Sequence, residues 1–163
     1  MRILVVAATK HESTGEIADA IAVELGSRGH DVRREPITEA TIGDAQAVVL
    51  GSAVYMSRWM ADARVFASQH AEQLAQLPVW MFSVGLAGIE ADDPATVESS
   101  LVADIAPVGA AAFAGRLDEA VLGLRERSVV RLTRAPKGDL RDWDAVRSWA
   151  GGIDAALRAD VTE

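Results

Sequence analysis

MRILVVAATKHESTGEIA, residues 1–18, decides the fold. Ile3 to Ala8 is an unbroken apolar run, the pattern of a parallel strand buried on both faces. It opens into a hydroxyl-rich turn, Thr9 to Thr14, and then into an apolar-periodic helix with Ile17, Ala18, Ile21 and Leu25. A buried strand that ends at a helix N-terminus makes an anion site. The N–H groups of the first turn and the positive end of the helix dipole point the same way. Hydroxyls at Thr9, Ser13 and Thr14 add donors suited to phosphate oxygens. The bland alternative is that Ser13 or Thr14 only caps the helix, since both types are preferred caps.

Further along, the elements alternate, as expected of a parallel sheet covered on both faces. Apolar runs predict strands at residues 2–8, 45–51, 79–84 and 110–114, and alternation after Gly29 predicts a short edge strand at 31–35. Helical periodicity predicts helices at 14–28, about 59–76, 94–105 and 142–159. Asp93 before Pro94 reads as a cap followed by a preset first residue, and Asp142 opens the last helix. No repeat or linker interrupts the 163 residues, so one domain is expected.

Composition removes several classes. The chain has no cysteine, hence no disulfide, thiol nucleophile or thiolate metal site. His11, His30 and His70 lack metal-ligand spacing, and His30 and His70 read as surface residues. No apolar run reaches the roughly 18 residues of a membrane span, and the start lacks a signal-peptide pattern. A cytoplasmic location is therefore expected. The net charge of −8 argues against non-specific nucleic-acid binding. The charge is uneven: residues 116–147 hold eight basic side chains and six acidic ones, and the rest of the chain carries −10.

Exclusion narrows the anion. The first loop lacks the glycine triplet of a dinucleotide fold and the Gly-Lys-Ser/Thr ending of a nucleotide-triphosphate loop. With hydroxyls at both ends it resembles the FMN-phosphate loop of the flavodoxin family. VVLGSAVYMSRW (48–59) is similar to that family's second flavin loop, and VWMFSVGLAG (79–88) to its third. FAGRLD (113–118) and DWDAVRSWA (142–150) resemble the subgroup containing menaquinone-dependent protoporphyrinogen oxidase. The resemblance implies a flavodoxin-like three-layer α/β sandwich with five parallel strands in the order 2-1-3-4-5. Ligands of such sheets lie beyond the carboxyl ends of the strands, at the switch point between strands one and three.

The resemblance also implies FMN as cofactor and assigns positions. Thr9, Lys10, His11, Ser13 and Thr14 align with the phosphate loop. Glu12 falls where the family has glycine, and a carboxylate there opposes a phosphate dianion unless it faces solvent or pairs with Lys10. Ser52, Ala53, Val54, Tyr55, Met56, Ser57, Arg58 and Trp59 form the second loop. Tyr55 or Trp59 can stack on the flavin ring and Met56 can press on its edge. Ser52 and Ser57 can bond ring or ribityl atoms, and Arg58 can face a negative reduced flavin. The third loop is Ser83, Val84, Gly85 and Leu86, whose backbone can reach the pyrimidine edge.

Residues 117–134, LDEAVLGLRERSVVRLTR, place Leu122, Val129, Val130 and Leu132 among four arginines. This reads either as a packed helix with snorkelling arginines or as an amphipathic helix for peripheral membrane or partner contact. Three functions follow. The first is a cytoplasmic FMN redox carrier with a redox partner protein or a quinone. The second is a quinone-linked enzyme acting on a porphyrinogen. The third is a binding module that kept the fold and lost its flavin.

Overall fold

The computed structural model of the chain describes residues 1–85, 99–117, 122–133 and 138–160. Strand β1 (Arg2–Ala8) shows why an unbroken apolar run forms there. Successive side chains of a strand point to opposite faces. Ile3, Val5 and Ala7 join one core, Leu4, Val6 and Ala8 the other. Beside β1 lie β2 (Asp31–Pro36), an edge strand of half-buried side chains, and β3 (Ala47–Tyr55). Beyond them come β5 (Val79–Gly85), wholly buried, and β6 (Gly109–Ala114). These five pair in parallel in the order β2-β1-β3-β5-β6, the expected 2-1-3-4-5 when the parallel strands alone are counted.

Helices α1 (Ser13–Ser27) and α6 (Trp143–Asp160) cover the face bearing Ile3, Val5 and Val49. Helices α2 (Ala61–Gln69), α3 (Ala71–Leu74) and α4 (Ser99–Ile105) cover the face bearing Leu4, Val6 and Leu50. On the first face the Phe82 ring lies over Gly51, its register partner on β3. A Cβ at Gly51 would stand 2.1 Å from that ring. Phe113 and Trp149 close round it, with Trp149 edge-on to Phe82 at 6.0 Å and to Phe113 at 5.7 Å.

Several expectations change. β3 does not stop near Gly51 but runs on to Tyr55, because β4 (Arg58–Trp59) folds back on it with Val54 opposite Trp59 and Tyr55 opposite Arg58. The helix read over 59–76 is therefore two helices that begin after Trp59. Asp142 does open the last helix, accepting a hydrogen bond from the Ala145 N–H at 3.0 Å. Residues Asp93 and Pro94 lie outside the described residues.

His30 is not a surface residue: its side chain is 5 % exposed, with Nε2 2.9 Å from Asp154 Oδ1. It sits between α1 and α6, where Arg28 and Arg158 also reach Asp154. Burial pushes the Asp154 carboxyl up, but the hydrogen bonds from His30 and Arg158 outweigh it and hold the pKa below the usual value. His70 bonds Gln73 at 3.0 Å, its ring tilted on Phe66.

β7 (Arg116–Leu117) and β8 (Gly138–Asp139) pair as a short antiparallel ribbon, with α5 (Leu124–Thr133) between them.

Candidate functional site

β1 ends at Ala8, and the chain turns through residues 9–12 before α1 starts at Ser13. The Ser13 N–H donates back to the His11 carbonyl at 2.7 Å, which tightens the turn. Glu12 takes φ 61° and ψ −23°, the left-handed conformation that glycine adopts without cost. Its side chain is exposed and makes no cap to the helix. Ser13 and Thr14 are buried under the turn, and the Ser13 hydroxyl accepts the Arg116 N–H at 3.0 Å. Thr9 and Lys10 are exposed.

The second loop is a hairpin tip. Met56 (φ 50°) and Ser57 (φ 62°) both have left-handed backbones between β3 and β4. That is the pattern of a type I′ turn, which fits strand twist but favours Asn-Gly. The tip carries Tyr55, 39 % exposed, and Met56, 75 % exposed. Arg58 is also exposed, while Ala53 and Val54 are half-buried. Two other members, Ser52 and Trp59, stand behind the tip. Trp59 is buried in the core, and its indole N–H donates to the Ser83 hydroxyl at 2.8 Å. The Ser52 hydroxyl donates to the Ala53 carbonyl and accepts the Met60 N–H, both at 2.9 Å. Ser52, Trp59 and Ser83 thus brace the loop, and Tyr55 is the aromatic that faces outward.

The third loop leaves β5 beside the second, with Ser52 opposite Ser83 and Ala53 opposite Val84. The Gly85 carbonyl accepts the Gly115 N–H at 2.8 Å. Leu86 lies outside the described residues.

A charged group that no local pattern announces joins these loops. Lys10 Nζ pairs with Glu126 Oε1 of α5 and also lies over the Tyr55 ring, 4.3 Å from its centroid. His11 Nε2 is 3.2 Å from the same carboxylate oxygen, and the Gly123 N–H donates to the other at 2.7 Å. The Lys10 ammonium and the Gly123 N–H hold the Glu126 carboxyl down at about 2, against the opposing effect of burial. Glu126 stood in the sequence as one acid among arginines. Its side-chain partners, Lys10 and His11, are more than a hundred residues away, so no spacing could have found it.

Arg141 is a second such residue. Its guanidinium, 5 % exposed, pairs with Glu16 in the first turn of α1 and with Asp139 of β8. It also lies over the Trp143 ring at 4.6 Å. The Arg141 side chain, then its N–H, holds the Asp139 carboxyl at about 2. The clamp fastens the ribbon to the first turn of α1.

Among the described residues no cluster of histidines and acids could hold a metal, and no helix is long and apolar enough to cross a membrane.

A family model described as flavodoxin domain matches residues 4–144. No curated protein matches the chain. Among solved structures, the rubredoxin oxygen:oxidoreductase of Desulfovibrio gigas superimposes with a TM-score of 0.66 at 14 % identity. That match covers 99 % of this chain but only 37 % of the oxidoreductase. A cysteine-to-serine variant of the flavodoxin of Pseudomonas aeruginosa gives 0.60 at 14 % identity, covering 97 % of this chain and 99 % of that one. The flavodoxin of Streptococcus pneumoniae TIGR4 gives 0.61 at 16 %, with 96 % and 99 % covered. At such identities these likenesses are likenesses of fold.

Proposed function

The chain belongs to the flavodoxin-domain family, whose cofactor is FMN, and on that premise we propose that it is a cytoplasmic redox carrier. A partner protein or a quinone exchanges electrons with it. One observation carries the reading. Lys10 of the loop suited to an anion lies 4.3 Å from the ring centroid of Tyr55 in the loop suited to a flat ring. Both loops leave the carboxyl ends of adjacent strands, β1 and β3, at the switch point of the sheet.

The residues present fit FMN. Thr9, Ser13 and Thr14 with the first N–H groups of α1 suit the phosphate, aided by Lys10 and His11. Glu12 supplies the left-handed turn that glycine gives the family, with its carboxylate exposed rather than aimed inward by an ion pair with Lys10. Tyr55 and Met56 offer surface to the ring, Ser57 and Arg58 its polar edge, and the backbone of Ser83, Val84 and Gly85 the pyrimidine side. Bound FMN supplies the electron chemistry; the chain binds it, orients it and keeps water from part of it.

Glu12 gives a direct check. Glu12→Gly removes a negative charge beside the phosphate and a left-handed non-glycine residue. It should tighten FMN binding, and the gain should shrink at high salt as charges are screened. Fluorescence titration at two salt concentrations reads this. Weaker binding would show that the carboxylate assists the phosphate.

A second reading, a quinone-linked enzyme acting on a porphyrinogen, has one observation in its favour. On α5, Leu124 and Leu132 are both 84 % exposed, beside exposed Arg125, Arg127 and Arg131. That face suits peripheral contact with an anionic lipid surface, each arginine contributing about 1 kcal/mol. The chain should then sediment with anionic vesicles at low salt, leave them at high salt, and lose the binding when the three arginines become Gln. No sedimentation at low salt favours the carrier.

The proposal as a whole is tested by titrating the purified chain with FMN and following flavin fluorescence. Uptake with quenching supports it. A chain that takes up no FMN is a binding module on a flavodoxin fold. Oxidation of a porphyrinogen with a quinone as acceptor separates enzyme from carrier.

A further inference from the structure

Glu126 is a buried carboxylate with an unusual position. It reaches across from α5 to both basic side chains of the first loop, Lys10 and His11. The pairing explains why a buried carboxylate is tolerated there: three donors, from Lys10, His11 and the Gly123 N–H, surround it. It also ties α5 to the first loop. Among the described side chains of α5 only Glu126 is buried, while Leu124, Arg125, Arg127, Ser128, Arg131 and Leu132 are exposed. Among these described side chains it is Glu126 that ties the helix to the first loop.

A phosphate and a carboxylate ask for the same partners. With Glu126 seated, the charge of Lys10 is cancelled, and Glu12 leaves the loop with a further negative charge nearby. A flavin that carries a phosphate meets this competition; one without a phosphate does not. We infer that Glu126 is a specificity-determining residue of the phosphate loop. Its carboxylate claims Lys10 and His11, and a flavin phosphate gains them only by displacing it and loosening α5. The inference rests on the reading of the first loop as the FMN-phosphate site.

The experiment compares FMN with riboflavin, which lacks the phosphate, in the wild-type chain and in Glu126→Gln. Gln keeps the shape and the acceptor for Lys10 and removes the charge. Affinities are read by fluorescence quenching at low salt. Releasing a charge-assisted partner should tighten FMN about ten- to a hundredfold and leave riboflavin unchanged. FMN affinity that stays the same or falls, with riboflavin unchanged, overturns the inference and makes Glu126 an organiser of Lys10 and His11. FMN and riboflavin that bind equally in both the wild-type chain and Glu126→Gln overturn the phosphate-site reading itself, and the inference with it.

A second measurement needs no variant. Arg125, Arg127 and Arg131 are exposed trypsin sites on α5. FMN should speed cleavage there in the wild-type chain, and riboflavin should not. Protection by FMN, or no change, means that α5 stays seated and overturns the displacement.

Discussion

Gly51→Ala should cost the chain about 3 kcal/mol of stability, the upper part of the usual range for overpacking a core. The added Cβ would stand 2.1 Å from the Phe82 ring, closer than any real contact allows. The ring cannot swing aside at low cost, because Phe113 and Trp149 pack against it. β3 is a central strand, paired on one side with β1 and on the other with β5, so the backbone is not free to yield either. A shift of roughly 10 °C in Tm corresponds to that loss for a domain of this size. Urea unfolding should show a lower midpoint with an unchanged slope. Shortening the ring in the double variant Gly51→Ala/Phe82→Leu should return part of the loss, so the two effects should not add. A midpoint that does not move would mean that Phe82 is not held over Gly51.

The second large effect concerns the first loop. Ser13→Ala/Thr14→Ala should weaken FMN binding by at least a hundredfold. Each neutral donor lost to a charged acceptor is worth about 1.5–3 kcal/mol, and two are removed. Ser13 also accepts the Arg116 N–H, so the variant loses a tie between the loop and the ribbon. Riboflavin separates the two consequences. A lost phosphate site weakens FMN alone, whereas a slackened loop weakens both flavins. FMN affinity that is unchanged in a folded variant would remove both hydroxyls from the site.

Much of the scaffold was legible in residues 1–18. An apolar run on two faces needs two cores, and alternation along β1 distributes Ile3 and Leu4 between them. The helix that follows buries Ile17, Ala18, Ile21 and Leu25, the residues its period marked. Asp142 caps α6 as its type and place suggested. These features are local. Each depends on a period or a cap that a dozen residues can express.

The hairpin tip was harder to read, for a related reason. Met56 and Ser57 are poor residues for a left-handed turn, so the sequence carries no turn signal there. Pairing of β4 with β3 imposes the turn, and burial of Trp59 against Ser83 holds it. Once that is set, Tyr55 rather than Trp59 faces outward.

The charges were beyond local reading altogether. His30 is buried because Asp154 of α6 comes to meet it, and Glu126 reaches Lys10 and His11 from α5. By itself the sequence determined which faces are apolar, that parallel strands alternate with helices and which loops carry hydroxyls, because these follow from spacing along the chain. Only the tertiary structure decided which charges meet at the first loop and that α5 supplies one of them. Ion pairs between residues more than a hundred apart leave no period in the sequence, and only the folded chain brings them within reach.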